Sequence, residues 1–222
     1  MPINIHSILN RSRTVISAIM MVSLVLAASP ATACQENAML VFDSSGSMST
    51  ARDGERKIDT AREAAADILP DVTSRRPTGL ITYGGVPGAT CSGVALKVPP
   101  LLQSGGLILG ELGMMEPSGQ TPLTDAVSLA AETLQSLHKP GVIVLVTDGL
   151  ENCGYNACAL AQKLKTGTPN IKVHVIGFHL LDPNENKVSC LATLTGGTYT
   201  STNSLESLRK ALKTTLGCPR IS

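Results

Sequence analysis

Short apolar runs alternate with longer amphipathic stretches along most of this chain. The runs are too short for helices and nearly free of polar residues, which is typical of strands buried on both faces of a parallel sheet. An additional run after a turn-rich segment predicts a returning edge strand. The predicted strands are 38–42, 79–83, 94–98 (the edge strand), 142–146, 173–178 and 198–200.

The stretches between these runs place apolar residues three and four positions apart, as amphipathic helices do. The predicted helices are 57–69, 107–112, 123–137, 156–165 and 205–216. Strands that alternate with helices in this way predict an α/β fold with a mainly parallel central sheet, one antiparallel edge strand and helices on both faces. Ligands of such folds bind at the carboxyl ends of the strands.

The first 33 residues have the pattern of a signal peptide. Arg11 and Arg13 precede an apolar stretch at 15–28, and Ala31-Thr32-Ala33 is a small-x-small cleavage site. We therefore predict a signal peptide at 1–33, one domain at 34–222, and an exported protein that is periplasmic or secreted. No segment is long enough for a comfortable membrane span. Lipid attachment at Cys34 is the alternative, although Ala31 stands where such sites usually have Leu.

Composition excludes two classes of partner. The net charge is +1 and there is no Trp, with aromatic residues at 2%. A balanced charge gives no electrostatic attraction to nucleic acid or to an anionic membrane surface. The scarcity of aromatic side chains argues against a stacking surface for bases or sugars.

Six cysteines follow the predicted cleavage site, and an even number in an exported chain favours three disulfides. Cys34 precedes the first strand and Cys218 follows the last helix, so both are expected at the sheet edge opposite the first strand's carboxyl end. A Cys34–Cys218 bond is therefore predicted, together with a Cys153–Cys158 bond between near neighbours. Cys91 and Cys190 are left to pair with each other, and exchanges with Cys153 or Cys158 stay open. The cysteine spacing does not favour zinc.

The candidate chemistry lies in the loop after the first strand. Asp43, Ser45 and Ser47 occupy every second position there, and a loop at a strand end can turn all three oxygens inward. Thr121 opens the helix that precedes the fourth strand, and Asp148 follows that strand. Glu151 and Asn152, which follow, are expected in a solvated loop.

Two carboxylates and three hydroxyls form a ligand set for a hard divalent cation. The carboxylates balance a divalent charge and the hydroxyls add none, so the cation can accept one more anionic oxygen. Magnesium fits this set best, with Mn²⁺ or Ca²⁺ as other possibilities. Each residue also has a structural interpretation: an Asx turn at Asp43, a helix N-cap at Thr121 and a turn at Asp148.

With these motifs the sequence resembles the von Willebrand factor type A domain over about residues 35–216, as a small exported bacterial member. Asp43-Ser44-Ser45-Gly46-Ser47, the later Gly119-Gln120-Thr121 and the strand-ending Thr147-Asp148-Gly149 match its metal-ion-dependent adhesion site. The resemblance implies a Rossmann-like domain with Asp43, Ser45, Ser47, Thr121 and Asp148 at the metal. It also implies that an Asp or Glu of a protein partner completes the coordination.

The sequence therefore predicts a non-enzymatic protein-binding domain with a divalent cation. One alternative is a metal-dependent hydrolase or phosphoryl-transfer enzyme, which an electrophilic metal would allow. It is disfavoured because no histidine lies near either acid in sequence and no phosphate-binding glycine loop is present. The other alternative is a structural scaffold whose metal site is unused.

Overall fold

The computed structural model describes residues 34–88, 90–168, 170–180 and 185–218. The predicted signal peptide at 1–33 lies outside these ranges and stays a prediction. The strands are β1 (Asn37–Ser44), β2 (Ala51–Arg52), β3 (Glu55–Arg56), β4 (Thr78–Gly84), β5 (Ala95–Leu101), β6 (Gly141–Thr147), β7 (Ile171–Phe178) and β8 (Tyr199–Thr202). The α-helices are α1 (Lys57–Arg75), α2 (Gly105–Met114), α3 (Leu123–Ser136), α4 (Ala157–Gly167), α5 (Glu185–Thr195) and α6 (Leu205–Leu216).

Six strands form one sheet in the order β5-β4-β1-β6-β7-β8. All neighbouring strands pair in parallel except β4 and β5, which are antiparallel. The predicted fold class, including its single antiparallel edge strand, is confirmed. Central β1 lies between β4 and β6, with Phe42 opposite Val146. The carboxyl ends of β1 and β6 therefore lie side by side, which brings the loops after them to one edge.

Helices cover both faces of the sheet, because alternate residues of each buried strand point to opposite sides. Leu40 and Phe42 of β1 pack in a core with residues of α1, α2 and α6. Met39 and Val41 pack in a second core with residues of α3, α4 and α5. Each residue of β1 is buried, which explains why its central part, 38–42, is an unbroken apolar run.

Two helices depart from the sequence prediction. Helix α1 was expected to end at 69, but it continues through Pro70 to Arg75. Pro70 is exposed, whereas Val72 and Thr73 beyond it are buried, so packing of the last turn outweighs the hydrogen bond that proline removes. Helix α5 was not predicted, although Val188 and Leu191 place apolar side chains on one buried face.

One disulfide joins the two ends of the described domain. Cys34 and Cys218 are bonded, with 5.5 Å between their Cα atoms, as predicted. A sulfur in this bond cannot also carry a thioether-linked lipid, which removes the alternative of lipid attachment at Cys34. Among the described helices, none combines the length and the apolar character needed to cross a membrane.

The predicted Cys153–Cys158 bond is wrong, and the structure has instead one of the exchanges that the sequence left open. Cys153 is bonded to Cys91, with Cα atoms 5.7 Å apart, and Cys158 to Cys190, with Cα atoms 5.3 Å apart. Because α5 packs beside α4, it brings Cys190 to the start of that helix, and the loop after β4 brings Cys91 to the loop after β6. No cysteine in the described part of the chain is free. Three disulfides are typical of proteins from an oxidising compartment.

Candidate metal centre

The first loop of the candidate site begins at Asp43, near the end of β1. Its Oδ1 accepts a hydrogen bond from the Ser45 backbone N–H at 2.8 Å, and its Oδ2 accepts one from the Thr147 hydroxyl at 2.9 Å. The first bond is the Asx turn that the sequence suggested. The second ties the carboxylate to the end of β6. Asp43 is fully buried, so its orientation is fixed by both strands.

Ser45 and Ser47 lie around a single turn of 3₁₀-helix, Gly46–Ser49. Met48 is fully buried in the core, which turns its neighbour Ser47 towards the sheet edge. The Ser45 and Ser47 hydroxyl oxygens are 3.1 Å apart. Ser45 is buried and Ser47 is exposed, so the open side of the candidate centre lies at Ser47.

Asp148, just beyond β6, contacts this first loop directly. Its Oδ1 accepts a hydrogen bond from the Ser47 hydroxyl at 2.6 Å. Its Oδ2 accepts one from the Lys57 ammonium, also at 2.6 Å, and both side chains are almost completely buried. Sequence reasoning missed Lys57, which it counted only as the start of a helix. The burial of Lys57 could have been inferred from its position four residues before the buried Ala61, on the apolar face of that helix.

Thr121 belongs to the second loop and borders the same space. A Cβ atom added at Gly149 would lie 3.6 Å from the Ser47 Oγ and 3.9 Å from the Thr121 Oγ1. The two hydroxyls therefore face one small gap that exists because residue 149 has no side chain. The predicted N-cap role of Thr121 is wrong: Pro122 is the N-cap of α3, and the helix begins at Leu123.

Backbone contacts hold the second loop against the first. The Gly46 N–H donates to the Gly119 carbonyl at 3.1 Å, and the Ser118 N–H donates to the Ser44 carbonyl at 3.0 Å. Gly119 has φ +75°, and a Cβ there would lie 2.5 Å from the Val86 carbonyl oxygen. Glycine is therefore required at 119 on both conformational and steric grounds.

Glu151 and Asn152 support the second loop instead of pointing only into solvent. The Asn152 Oδ1 accepts a hydrogen bond from the Thr121 backbone N–H at 2.7 Å. The Glu151 Oε2 accepts one from Thr124 N–H at 2.8 Å, and its Oε1 accepts one from Cys153 N–H at 2.8 Å. Thr124 lies in the first turn of α3, where a carboxylate satisfies an otherwise unpaired N–H. The loop after Asp148 therefore positions Thr121.

Burial dominates the electrostatics of the two acids. It raises the pKa of Asp43 from 3.8 to about 6, with a further increase from the negative charge of Asp148. Hydrogen bonds from Ser45 and Thr147 act in the opposite direction. Burial, followed by the charge of Asp43, also raises the pKa of Tyr83 well above its ordinary value, so this phenol stays protonated.

A histidine lies closer to this edge than its sequence position suggested. His179 directly follows β7 and is within electrostatic range of Lys57 and Asp148. Burial lowers its pKa, and the charges of Lys57 and Arg52 lower it further, so the ring is neutral near pH 7. Among the described hydrogen bonds, none joins the His179 ring to any of the five candidate ligands. The enzyme alternative therefore gains a neighbouring imidazole but no positioned base.

The donor set fits a hard divalent cation. The five residues are brought together by contacts among the three loops, and their side chains offer only oxygen. The site has two buried carboxylates, of which Asp148 is paired with the buried Lys57 ammonium, so an additional positive charge would be stabilised there. A site made of three or more His, Cys, Asp or Glu side chains is absent from the described residues. The described cysteines are all joined in disulfides and therefore offer no free thiolate.

The comparisons with known proteins agree with this fold. Residues 38–151 match the family model of the von Willebrand factor type A domain. The uncharacterized protein YwmD of Bacillus subtilis (strain 168) is 30% identical over 200 residues, which cover 83% of this chain and 88% of YwmD. The chain belongs to the von Willebrand factor type A family.

Three solved structures also share the fold. An aerotolerance-related membrane protein from Bacteroides fragilis NCTC 9343 has a TM-score of 0.64 at 20% identity, over 82% of this chain and 98% of that one. The pilus adhesin SpaC from Lactobacillus rhamnosus GG has a TM-score of 0.65 at 16% identity, over 82% and 30%. Proximal thread matrix protein 1 from the mussel byssus, with a zinc-occupied MIDAS motif, has a TM-score of 0.61 at 19% identity, over 83% and 48%.

Proposed function

We propose that this chain is a non-enzymatic, exported protein-binding domain that uses a divalent cation to capture an Asp or Glu of its partner. Magnesium is the proposed ion, held by Asp43, Ser45, Ser47, Thr121 and Asp148. The observation that carries the proposal is the meeting of three loops around the gap at Gly149, where the Ser47 and Thr121 hydroxyls both lie.

Charge supports an anionic partner group. Asp43 and Asp148 contribute two negative charges and Lys57 one positive charge, so a bound divalent cation would leave the cluster with a net charge of +1. The cluster is buried except at Ser47, and an approaching carboxylate would therefore meet the cation from that side. In a site of low dielectric such an interaction is stronger than in water.

The comparisons support the same class of function. A pilus adhesin and a thread matrix protein share the fold, and the latter has a zinc-occupied MIDAS motif. Neither name describes an enzyme. The predicted signal peptide and the three disulfides together support export to an oxidising compartment.

Metal binding is tested by two serine variants from the same turn. Ser47→Ala removes a proposed ligand, whereas Ser49→Ala removes an exposed hydroxyl that donates only to the Gly46 carbonyl among the described contacts. Saturating MgCl₂ is expected to raise the melting temperature of the wild type and of Ser49→Ala, because a ligand that binds only the folded state stabilises it. Ser47→Ala should show a much smaller rise. Equal shifts in the two variants, or none in the wild type, would contradict the proposal.

Capture of an acidic side chain is tested on immobilised protein. An extracytoplasmic fraction is applied in MgCl₂ or in EDTA, and a second portion is first treated so that its carboxylates become neutral amides. Specific retention is expected only with MgCl₂ and only from the untreated fraction. Retention that survives amidation would exclude carboxylate capture, and metal-dependent turnover of phosphoesters would favour an enzyme.

A further inference from the structure

Lys57 is a buried cation inside the proposed centre. It is the first residue of α1, only 7% of its surface is exposed, and its backbone N–H donates to the Thr50 carbonyl at 3.1 Å. Its ammonium lies 2.6 Å from the Asp148 Oδ2. Burial of an ammonium is unfavourable unless a paired charge compensates for it. Within the described residues, Asp148 is the ion-pair partner of Lys57, so burial of the ammonium depends on this contact.

The contact fixes the orientation of Asp148. One carboxylate oxygen accepts from the Ser47 hydroxyl and the other accepts from Lys57. A carboxylate held at both oxygens cannot rotate without breaking one of these bonds. Lys57 therefore helps to hold Asp148 in contact with Ser47, whose hydroxyl borders the gap at Gly149.

We propose that Lys57 is an internal counter-cation that orients Asp148 and weakens the binding of the divalent ion. This inference rests on the proposed function. The ammonium compensates one of the two buried negative charges in the metal-free protein, and it repels a second cation that binds the same carboxylates. Its charge also leaves the occupied centre with the net positive charge that an acidic partner requires. Lys57 thus lowers the affinity of the centre for the metal alone. The partner's carboxylate, which the remaining positive charge attracts, then contributes to the affinity of the complex.

The test replaces Lys57 with Met, which has a similar length and no charge. Lys57→Met is expected to lower the melting temperature of the metal-free protein, because the buried Asp148 carboxylate then loses its ion-pair partner and both buried negative charges are uncompensated. The same variant should bind Mg²⁺ more tightly, by roughly tenfold, because the repulsion between cations is gone. Titration calorimetry with MgCl₂ measures the affinity. Lys210→Met, which removes the same charge from an exposed position on α6, is the matched control and should leave both quantities unchanged.

A second variant covers the possibility that Lys57→Met does not fold without metal. Lys57→Met combined with Asp43→Asn returns the cluster to its original net charge, so this pair should fold without metal. Lys57→Met should also cost less stability in the Asp43→Asn background than in the wild type. An equal loss in both backgrounds would overturn the role of Lys57 as a counter-cation.

The outcomes separate the two proposals. A wild-type protein that binds no Mg²⁺ in the calorimeter would overturn the proposed function together with this inference. A wild type that binds Mg²⁺, with an affinity that Lys57→Met leaves unchanged or weakens, would overturn the inference alone. Tighter binding by Lys57→Met, with the Lys210→Met control unchanged, would support it.

Discussion

The raised pKa of Asp43 predicts that the metal-free protein loses stability as the pH rises from about 4 to 6. The folded state holds the Asp43 proton more tightly than the unfolded state does, so it binds more protons between these values. Stability falls with pH wherever the folded state binds more protons. The contribution of the protonated carboxyl is fully present below pH 3.8 and is lost as the pH passes about 6.

The magnitude follows from the size of the pKa change. One pH unit of pKa difference corresponds to about 1.4 kcal/mol. A rise from 3.8 to about 6 therefore predicts a loss on the order of 3 kcal/mol across this range. Other groups titrate in the same range, so the prediction concerns the difference between the wild type and a variant that lacks only this carboxyl.

Asp43→Asn is that variant. The amide oxygen can still accept from the Ser45 N–H, and the Thr147 hydroxyl can accept from the amide while it donates to the Gly149 carbonyl, 3.1 Å away. Urea unfolding of metal-free protein at several pH values measures the free energy of unfolding for both proteins. The wild type should lose about 3 kcal/mol relative to Asp43→Asn between pH 3 and 7.

Two further measurements make this prediction specific. Asp71→Asn, which removes an exposed carboxyl from α1, should give no comparable difference from the wild type. Saturating MgCl₂ should reduce the fall in wild-type stability, because the cation would bind the deprotonated form. Parallel pH profiles of metal-free wild type and Asp43→Asn would refute the account in which burial, and then the charge of Asp148, raises the pKa of Asp43.

Three other changes have defined outcomes. Gly84→Ala should lower the free energy of unfolding by about 1–3 kcal/mol, because residue 84 has φ +79° and its new Cβ would lie 2.5 Å from a backbone nitrogen. Glu151→Ala should lower it by about 1 kcal/mol in urea unfolding, because the Thr124 N–H loses its acceptor. Replacement of both Cys91 and Cys153 by Ser should lower the free energy of unfolding by about 4 kcal/mol. It should also weaken Mg²⁺ binding in calorimetry, because the disulfide would no longer hold the loop that positions Thr121.

Each of these changes has a matched control. Gly88→Ala also places Ala at a positive φ, but its Cβ would meet nothing within 4 Å, so it should cost less than Gly84→Ala. Glu132→Ala, at an exposed position of α3, should leave stability nearly unchanged. Serine at both Cys158 and Cys190 should lower stability but leave the Mg²⁺ affinity intact. If a substitution and its control had equal effects, the contact named for that substitution would not be the cause of its effect.

The fold could be predicted from the sequence because its central strands are buried along their whole length. Such strands appear as short apolar runs, and the loops after them must meet at one edge of a parallel sheet. That rule alone brings Asp43 and Asp148 together, and both lie at this edge in the structure. The assignment of these residues as metal ligands stays a prediction until a metal titration is made.

Sequence reasoning failed where a contact depends on elements far apart in the chain. Helix α5 was missed, and with it the reason why Cys190 reaches Cys158. Lys57 was missed because a lysine in the first turn of a helix is ordinarily exposed, and only the three-dimensional position of Asp148 explains its burial. Thr121 has an N-cap's sequence pattern, but its hydroxyl borders Gly149 and does not cap α3.

The bond between Cys34 and Cys218 also determines how the domain would respond to mechanical force. Its two Cα atoms are only 5.5 Å apart, although 184 positions separate them in sequence. Tension applied between the segments that flank these two residues would pass through the covalent bridge, and the sheet enclosed by the bridge would carry almost no load. The loops at the opposite edge would then keep their shape while the protein is pulled by its ends, until the bridge is reduced.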